Sequence, residues 1–358
     1  MNYGEAQLAG YTVTEEEYRA IESLIADEYL AAYKEIDARL AQLYAQYADA
    51  KTSDDIYNWL IQFDRYNKLH SDVAALYVQH SKAAGQLVAE SSRLAMTNNY
   101  YRQAFTLTYA SPEISFAALN PVLVDLAVLG QAELWAEIPR KARESLGSAD
   151  LWLPAQGSLS QLLNDNRAKE LRSIQQQINS GLISGKGYRD TSKAVAEVIG
   201  TYSEQGSTGS VASALRITAT EGNRALNAGA YANDLAAADQ GIKITRTWDA
   251  TLDTRTRPEH AREDGKKASV DKPFVFANGW TAMYPGKIHT GSAKTDASQN
   301  IRCRCTVVST AGDNTPALRR GKNPVTGESE VFTYKDFNQW ASENNLKRNK
   351  YGRLYLNE

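Results

Sequence analysis

The chain has 358 residues, of which 42% are hydrophobic and 23% charged, values that are ordinary for a globular protein of more than one domain. No apolar run approaches the roughly 20 residues that span a bilayer, and the N-terminus lacks the basic and apolar segments of a secretory signal, so we expect neither a membrane segment nor export. The net charge is only −2, but residues 241–358 contain 20 basic and 13 acidic side chains, giving +7 there and −9 in residues 1–240. A basic half can indicate an anionic partner, although an excess of this size is also compatible with simple solvation.

The first part of the chain is predicted to be helical. Apolar residues recur at helical spacing from about residue 14 to 49, and a second such pattern covers about 56–96. We expect Asn98 and Asn99 to loosen or end this second helix. Prolines then interrupt the pattern over 100–160.

Helical patterning returns before Gly241, where the composition changes. After that glycine, IKITRTWDAT has the β-branched alternation of a strand, and the turn residues and both cysteines follow. The tail contains the turn sequence NPVTGE and a short amphipathic helix around Tyr334–Asn344. We therefore predict a mainly α fold in four parts: a helical N-terminal region (1–160), a helical segment (161–241), a small α+β domain (242–310) and a C-terminal tail (311–358).

A spaced set of residues in the second half of the chain is unlike a generic domain. The set begins with Thr220, Glu221, Arg224 and Asn227 on the last predicted helix, continues through TWDATLDTRTRPEHAREDG and Pro285, and closes with NIRCRCT. In order and spacing these residues resemble the Mu F-like phage head morphogenesis family over roughly residues 165–310. The tail RRGKNPVTGESEVFTY also resembles the usual C-terminal extension of that family.

The residues that match the family motif are Glu221, Trp248, Asp253, Arg255, Arg257, His260, Asp264, Gly265, Asn300, Cys303, Arg304 and Cys305. There is one departure from the pattern. The family often has asparagine directly before the first cysteine, whereas Ile301 and Arg302 intervene here. The Cys-Arg-Cys core is retained, so we interpret the insertion as a tolerated variant.

The resemblance implies a minor head protein of a tailed bacteriophage, a virion component that acts in capsid assembly. It implies association with the portal protein in the procapsid, proximity to capsid or scaffold protein, and contact with double-stranded DNA during packaging or ejection. The implied location is inside the head near the portal, and the host cytoplasm during assembly. The implied mechanism is recognition, so we predict no enzyme activity, no catalytic residue and no cofactor other than a structural zinc ion.

The closing cysteines allow two structural interpretations. A disulfide between Cys303 and Cys305 would be strained, so both are expected as thiols. If NIRCRCTVV is a strand, both thiols lie on one face, which suits either core packing or joint ligation of zinc with His260 and His289. CxC is less typical of zinc sites than CxxC, which favours simple packing. Alternatively, His260 forms a hydrogen bond to Asp264 that pins the Asp-Gly turn.

Four arginines around the motif, Arg255, Arg257, Arg302 and Arg304, are candidates to face DNA, because guanidinium pairs well with phosphate. Guanidinium pairs equally well with carboxylates, and internal ion pairing is the favoured alternative. The expected structural pair joins Glu221 to Arg255 or Arg257.

The alternative function is a toxin-like or cysteine-dependent enzyme that uses the His260/Cys303/Cys305 region. Glu328 and Glu330 have the ExE spacing of ADP-ribosyltransferases, and domains of the family are known to be joined to such toxins. The upstream elements of those enzymes are not recognisable in this sequence. A cysteine nucleophile would need a base-orienting group, an oxyanion hole and an open pocket, none of which the sequence indicates.

Overall fold

The computed structural model describes residues 3–45, 65–110, 112–155, 157–203, 206–312 and 316–356. It is 60% helical, with helices first and small antiparallel sheets afterwards, which confirms the predicted mainly α fold with a small α+β part at the C-terminal end. Within these ranges, no helix combines the length and the apolar content that crossing a membrane requires.

The described helices before residue 240 are α1 (Tyr3–Ala45), α2 (Arg65–Ala110), α3 (Pro121–Leu129), α4 (Arg140–Leu146), α5 (Leu159–Ile183), α6 (Tyr188–Ile199) and α7 (Gly209–Ala238). Helix α1 begins well before residue 14, and positions 46–49 and 56–64 of the two predicted helices lie outside the described residues. The prediction that Asn98 and Asn99 end the second helix is wrong. Asn99 is buried, and its Nδ2 donates to the Leu226 carbonyl at 2.6 Å, so a tertiary contact offsets its low helix propensity.

Contacts divide the chain into two compact units, and each unit is assembled from separate stretches of sequence. The first unit contains Met1–Glu17, Ser91–Ser158 and Ala219–Glu358, and the second contains Tyr18–Glu90 and Leu159–Thr218. Both ranges predicted for the C-terminal half, 242–310 and 311–358, fall within the first unit.

The second unit is a helical assembly around an apolar core. Its fully buried side chains include Ile25, Ile36, Val73, Ile174 and Val195. A buried polar pair crosses this core, where the Tyr77 hydroxyl donates to Glu170 Oε2 at 2.5 Å. Burial raises the pKa of Glu170, although its hydrogen bonds oppose the shift.

The elements of the first unit after residue 240 are β1 (Ile244–Asp249), α8 (Pro258–Glu263), β2 (Lys267–Ser269), β3 (Phe274–Val275), β4 (Thr281–Ala282), β5 (Ile288–His289), α9 (Ala293–Asn300), β6 (Thr306–Ala311), β7 (Leu318–Lys322), β8 (Ser329–Thr333), α10 (Phe337–Glu343), β9 (Leu346–Arg348) and β10 (Leu354–Leu356). Two three-stranded sheets have the orders β2-β1-β6 and β3-β4-β5, and β7-β8 and β9-β10 form two-stranded sheets. All these pairings are antiparallel.

Strand β1 and helix α10 confirm the predicted strand after Gly241 and the predicted helix in the tail. Helix α10 begins at a capping box: Asp336 accepts from the backbone of Asn338 and Gln339, and the Gln339 side chain accepts from the Asp336 backbone.

The prediction that NIRCRCTVV is a strand throughout is wrong, because β6 begins only at Thr306. The last residue of β1, Asp249, pairs with Thr306, so the chain before Thr306 has no strand to pair with. Residues 301–302 form a turn in which Arg302 has a φ of 51°, and the Arg302 amide donates to Thr220 Oγ1 at 3.0 Å. Burial nevertheless alternates over this segment: Cys303 and Cys305 are buried, while Arg302 is exposed and Arg304 half-buried.

Candidate functional site

An aromatic core surrounds the closing cysteines. Trp248 of β1 contacts the rings of Phe274 and Phe276 edge-on, each at a centroid distance of 5.3 Å, and His260 edge-on at 6.2 Å. The side chains of Cys303 and Cys305 are packed into the same cluster. Both cysteines are free and buried, which confirms the prediction that they are thiols.

His260 lies directly against both cysteines. Its Nδ1 is 3.6 Å from Cys303 Sγ and 3.4 Å from Cys305 Sγ, and its Nε2 is 3.0 Å from Gln299 Oε1. Helix α8, which begins with Pro258 at its first turn, positions the imidazole. All three side chains are at most 3% exposed. We call His260, Cys303 and Cys305 the His-Cys-Cys cluster.

The structure brings together three of the four predicted zinc ligands. His289 is not part of the cluster: its side chain is 68% exposed, and its Nδ1 lies 3.3 Å from Asp296 Oδ2. The alternative hydrogen bond from His260 to Asp264 is also not formed, because His260 bonds to Gln299 and Asp264 has other partners.

The pKa values of the two thiols are shifted in opposite directions. The pKa of Cys303 is lowered well below its usual value, first by the hydrogen bond with the Cys305 thiol and then by His260, which together outweigh burial. The same hydrogen bond, together with burial, raises the pKa of Cys305 well above its usual value.

Asp264 of the Asp-Gly turn is the centre of a second buried polar group. It accepts from the Ala250 amide at 2.8 Å, from the Phe337 amide at 2.7 Å and from both terminal nitrogens of Arg319 at 2.8–2.9 Å. Arg319, on β7, is fully buried and also forms an ion pair with Asp249 at 2.8 Å. Asp264 thus joins the motif segment to the C-terminal tail.

Burial and neighbouring charges shift the pKa values of Asp249 and Arg319 in opposite directions. Burial raises the pKa of Asp249 to about 6, although Arg319 pulls it downward. Burial lowers the pKa of Arg319, but the carboxylates of Asp249 and Asp264 outweigh it, and the net shift is upward. The guanidinium therefore remains charged although it has no contact with solvent.

The motif residues of α7 hold the closing segment from the other side. Arg224 is buried, pairs with Glu221 at 2.8 Å and donates to the Ala127 carbonyl at 2.6 Å. The expected pairing of Glu221 with Arg255 or Arg257 is therefore wrong, because Arg224, one helical turn away, takes the carboxylate. Asn227 Nδ2 donates to the Cys305 carbonyl at 3.1 Å.

Asn300, at the end of α9, holds the backbone of β5 through two hydrogen bonds. Its side chain accepts from the Ile288 amide at 2.8 Å and donates to the Ile288 carbonyl at 3.0 Å, so it substitutes for a strand neighbour of β5. Gly265 adopts a φ of 75°, a backbone conformation that side chains disfavour, and this explains why glycine follows Asp264.

The four predicted DNA-facing arginines divide into two pairs. Arg304 pairs with Asp253 at 2.8 Å, and Arg257 donates to the Ile301 carbonyl at 2.6 Å, so both have internal partners. Arg255, 66% exposed and 3.9 Å from Asp253, and Arg302, also exposed, keep their guanidinium groups in solvent.

Sequence reasoning missed two residues of these groups, Gln299 and Arg319. Gln299 lies within the helix that precedes the closing motif, where nothing in the pattern distinguishes it from a surface glutamine. Arg319 stands in the sequence ALRRGK, and β-strand alternation could have indicated that one of its two adjacent arginines faces inward.

Comparison with known proteins identifies the class. Residues 172–308 match the profile of the family described as "Phage Mu protein F like protein". The chain is 25% identical over 320 residues to the minor head protein GP7 of Bacillus phage SPP1, a match that covers 88% of this chain and 90% of that protein. It is 28% identical over 185 residues to the NAD(+)--arginine ADP-ribosyltransferase EFV of Enterococcus faecalis, covering 52% of this chain but only 34% of that protein. No solved structure matches.

These matches relate the chain to minor head proteins of bacteriophages. Residues 172–308 match the Mu F-like family, which confirms the resemblance recognised in the sequence. Its role is in head morphogenesis, and its place is the phage capsid.

The geometry does not favour the enzyme alternative. A cysteine nucleophile must be reached by substrate, whereas Cys303 and Cys305 are at most 3% exposed. Glu328 is exposed and Glu330 accepts from Asn323 Nδ2 at 2.9 Å in the β7-β8 hairpin. The match to the ADP-ribosyltransferase covers about a third of that protein and does not assign its activity to this chain.

Proposed function

We propose that the protein docks on the portal protein during procapsid assembly, beside capsid or scaffold protein, and contacts double-stranded DNA through its basic C-terminal part. In this proposal it resides inside the head near the portal, and in the host cytoplasm before assembly is complete. The similarity to a minor head protein along most of the chain supports the head role. The observation that carries the docking proposal is an exposed apolar stripe on α2.

The apolar stripe consists of Leu94, Tyr101, Phe105 and Tyr109, which are 42–49% exposed. They follow one another at intervals of seven, four and four residues, so they lie on one face of the helix. The opposite face of the same helix is packed in the first unit through Met96 and Leu107, both fully buried. Contiguous exposed apolar groups on a helix are typical of protein-protein contacts.

Replacing Leu94 and Phe105 with serine should reduce co-purification with a tagged portal protein by at least about tenfold, because central apolar anchors contribute most of the free energy of binding. The matched control is Ile183→Ser, which removes an equally apolar side chain that is 70% exposed outside the stripe. The measurement is a pull-down from cells that co-express both proteins. Undiminished capture of the double variant would exclude the stripe, and no capture of the wild-type chain would exclude the portal as partner.

The DNA proposal rests on the β9-β10 hairpin. Lys347, Arg348, Lys350 and Arg353 are all exposed there, and Tyr351 between them is 71% exposed. We call these residues the cationic hairpin. Arg348 donates to the Gly352 carbonyl and to Asn338 Oδ1, so the backbone of the hairpin is fixed. Cations and an aromatic ring on a fixed support suit contact with phosphates.

Replacing Lys347, Lys350 and Arg353 with alanine should weaken binding to double-stranded DNA at low salt. It should also lower the slope of log affinity against log salt concentration by up to about 2.7, since each neutralised phosphate contributes about 0.9. The control variant removes Lys186, which is exposed just before α6, and Arg189 and Lys193, which are exposed on α6, and it should leave the slope unchanged. Retardation of DNA by the full-length chain across a salt series is the measurement. Wild-type binding that does not depend on salt would contradict the proposal.

A further inference from the structure

We propose that the His-Cys-Cys cluster binds a zinc ion that stabilises the C-terminal part of the first unit. The donors are Nδ1 of His260 and Sγ of Cys303 and Cys305, and these atoms all lie within 4.8 Å of one another. Two soft sulfurs and an imidazole are a donor set that zinc prefers over hard cations. The proposal is independent of which partner the protein has in the phage head.

The spacing of the donors fits a tetrahedral ion. With Zn–S bonds of about 2.3 Å and Zn–N bonds of about 2.05 Å, the edge between a sulfur and a nitrogen ligand is about 3.6 Å long. The two observed Sγ–Nδ1 distances are 3.6 Å and 3.4 Å. An ion can therefore occupy the space between the three donors with little movement of the side chains.

The neighbour of His260 supports the same assignment. The Gln299 side-chain oxygen lies 3.0 Å from Nε2, and the tautomer in which Nε2 donates to this oxygen leaves an unprotonated Nδ1 facing the sulfurs. Outer hydrogen bonds of this kind orient the histidines of metal sites and fix their tautomer. Gln299 would thus be a positioning residue, which acts on the metal through the imidazole.

A hydrogen bond between one thiol and the imidazole explains the short distances in the cluster less completely than a metal ion does. Nδ1 has a single lone pair and can accept one S–H proton, so hydrogen bonding accounts for the second sulfur only through its bond to the first thiol. A metal ion accounts for both contacts at once, because each sulfur then binds the ion rather than the nitrogen.

The site would be a structural one. In the part of the chain that the structure describes, no further His, Cys, Asp or Glu joins the three donors, so the fourth position of a tetrahedral ion would take water or another donor. The three donors are nearly inaccessible to solvent, so a substrate could not reach the ion. The ion would connect α8 to the segment before β6, which lies 43–45 residues further along the chain.

The first experiment measures the metal itself. Full-length protein purified without a metal-affinity tag should contain about one zinc per chain by elemental analysis. Replacement of the ion by Co²⁺ should give the thiolate-to-cobalt charge-transfer bands and the visible d–d bands of a four-coordinate sulfur site. Protein that contains no zinc after growth in zinc-supplemented medium, and that gives no such bands with added Co²⁺, would overturn the proposal.

Variants identify the ligands. Cys303→Ser and Cys305→Ser should each lose the zinc, whereas His289→Asn should retain it, because His289 lies outside the cluster. Gln299→Leu, at a half-buried position that should not prevent folding, should weaken zinc binding by about 10- to 100-fold, and Gln299→Glu should restore it. A chelator should lower the Tm of the wild-type chain and leave that of the double cysteine variant unchanged. Zinc that is lost in His289→Asn but kept in both serine variants would place the metal elsewhere and refute the assignment.

Discussion

Replacing Arg319 with methionine should lower the free energy of unfolding by about 3–5 kcal/mol, the largest loss that we expect from a single charge in this chain. The methionine fills much of the same volume but leaves Asp249 and Asp264 buried without their cation. This loss of stability should shrink as the pH falls towards about 4, because the buried carboxyl group of Asp249, deprived of the guanidinium, binds a proton in the folded state at higher pH than in the unfolded state.

Urea denaturation of wild type and variant at several pH values measures this effect. The matched control is Arg255→Met, which removes a guanidinium that is 66% exposed and 3.9 Å from Asp253. That change should alter the free energy of unfolding by less than about 1 kcal/mol. Equal losses for the two variants would show that Arg319 does not neutralise a buried pair of carboxylates.

Replacing Gly229 with alanine should destabilise the first unit by about 3 kcal/mol, the opposite of the usual effect within a helix. Alanine normally stabilises a helix by about 1 kcal/mol relative to glycine. At Gly229, however, an added Cβ would collide with the Met96 carbonyl oxygen and lie 2.9 Å from the carbonyl carbon. Both are backbone atoms of α2, so the two helices would have to move apart.

Gly85→Ala is the control for this prediction. Gly85 also lies within a helix, but the nearest atom to its added Cβ is a methyl carbon of the Leu163 side chain at 3.2 Å, which can rotate away. We expect that variant to unfold within about 1 kcal/mol of wild type. Thermal and urea unfolding of both variants is the measurement, and a Gly229→Ala protein as stable as Gly85→Ala would contradict the close approach of α2 and α7.

The predictions from sequence were correct for features that are determined by residues close together in the chain. Apolar periodicity located the helices, β-branched alternation located β1, and the capping residue Asp336 follows from the same local chemistry that predicted the tail helix. The motif indicated that His260, Cys303 and Cys305 belong together. The family was recognisable because its motif is defined by the identity and spacing of residues along the chain. That information is present in the sequence even where the bounds of the surrounding helices cannot be predicted.

The failures concern contacts between residues that are distant in sequence. Asn99 continues a helix because a carbonyl on α7 accepts its amide, and residues 301–305 do not extend β6 because β1 ends opposite Thr306. His289 was selected for its residue type, but its position on β5 turns it towards Asp296 and solvent. Periodicity along the chain contains no information on which of several chemically equivalent partners is the nearer in space.

The interleaved arrangement of the two units has a consequence for how the chain folds during synthesis. The second unit is complete in sequence once Thr218 has been made, whereas the stretch Ser91–Ser158 of the first unit must wait for the residues after Ala219. This segment includes α3, whose Ala127 carbonyl accepts from Arg224 of α7, so that contact forms only after residue 224 has been made. We therefore expect the second unit to fold first during translation, and the first unit to complete its core only after its last residues have been made.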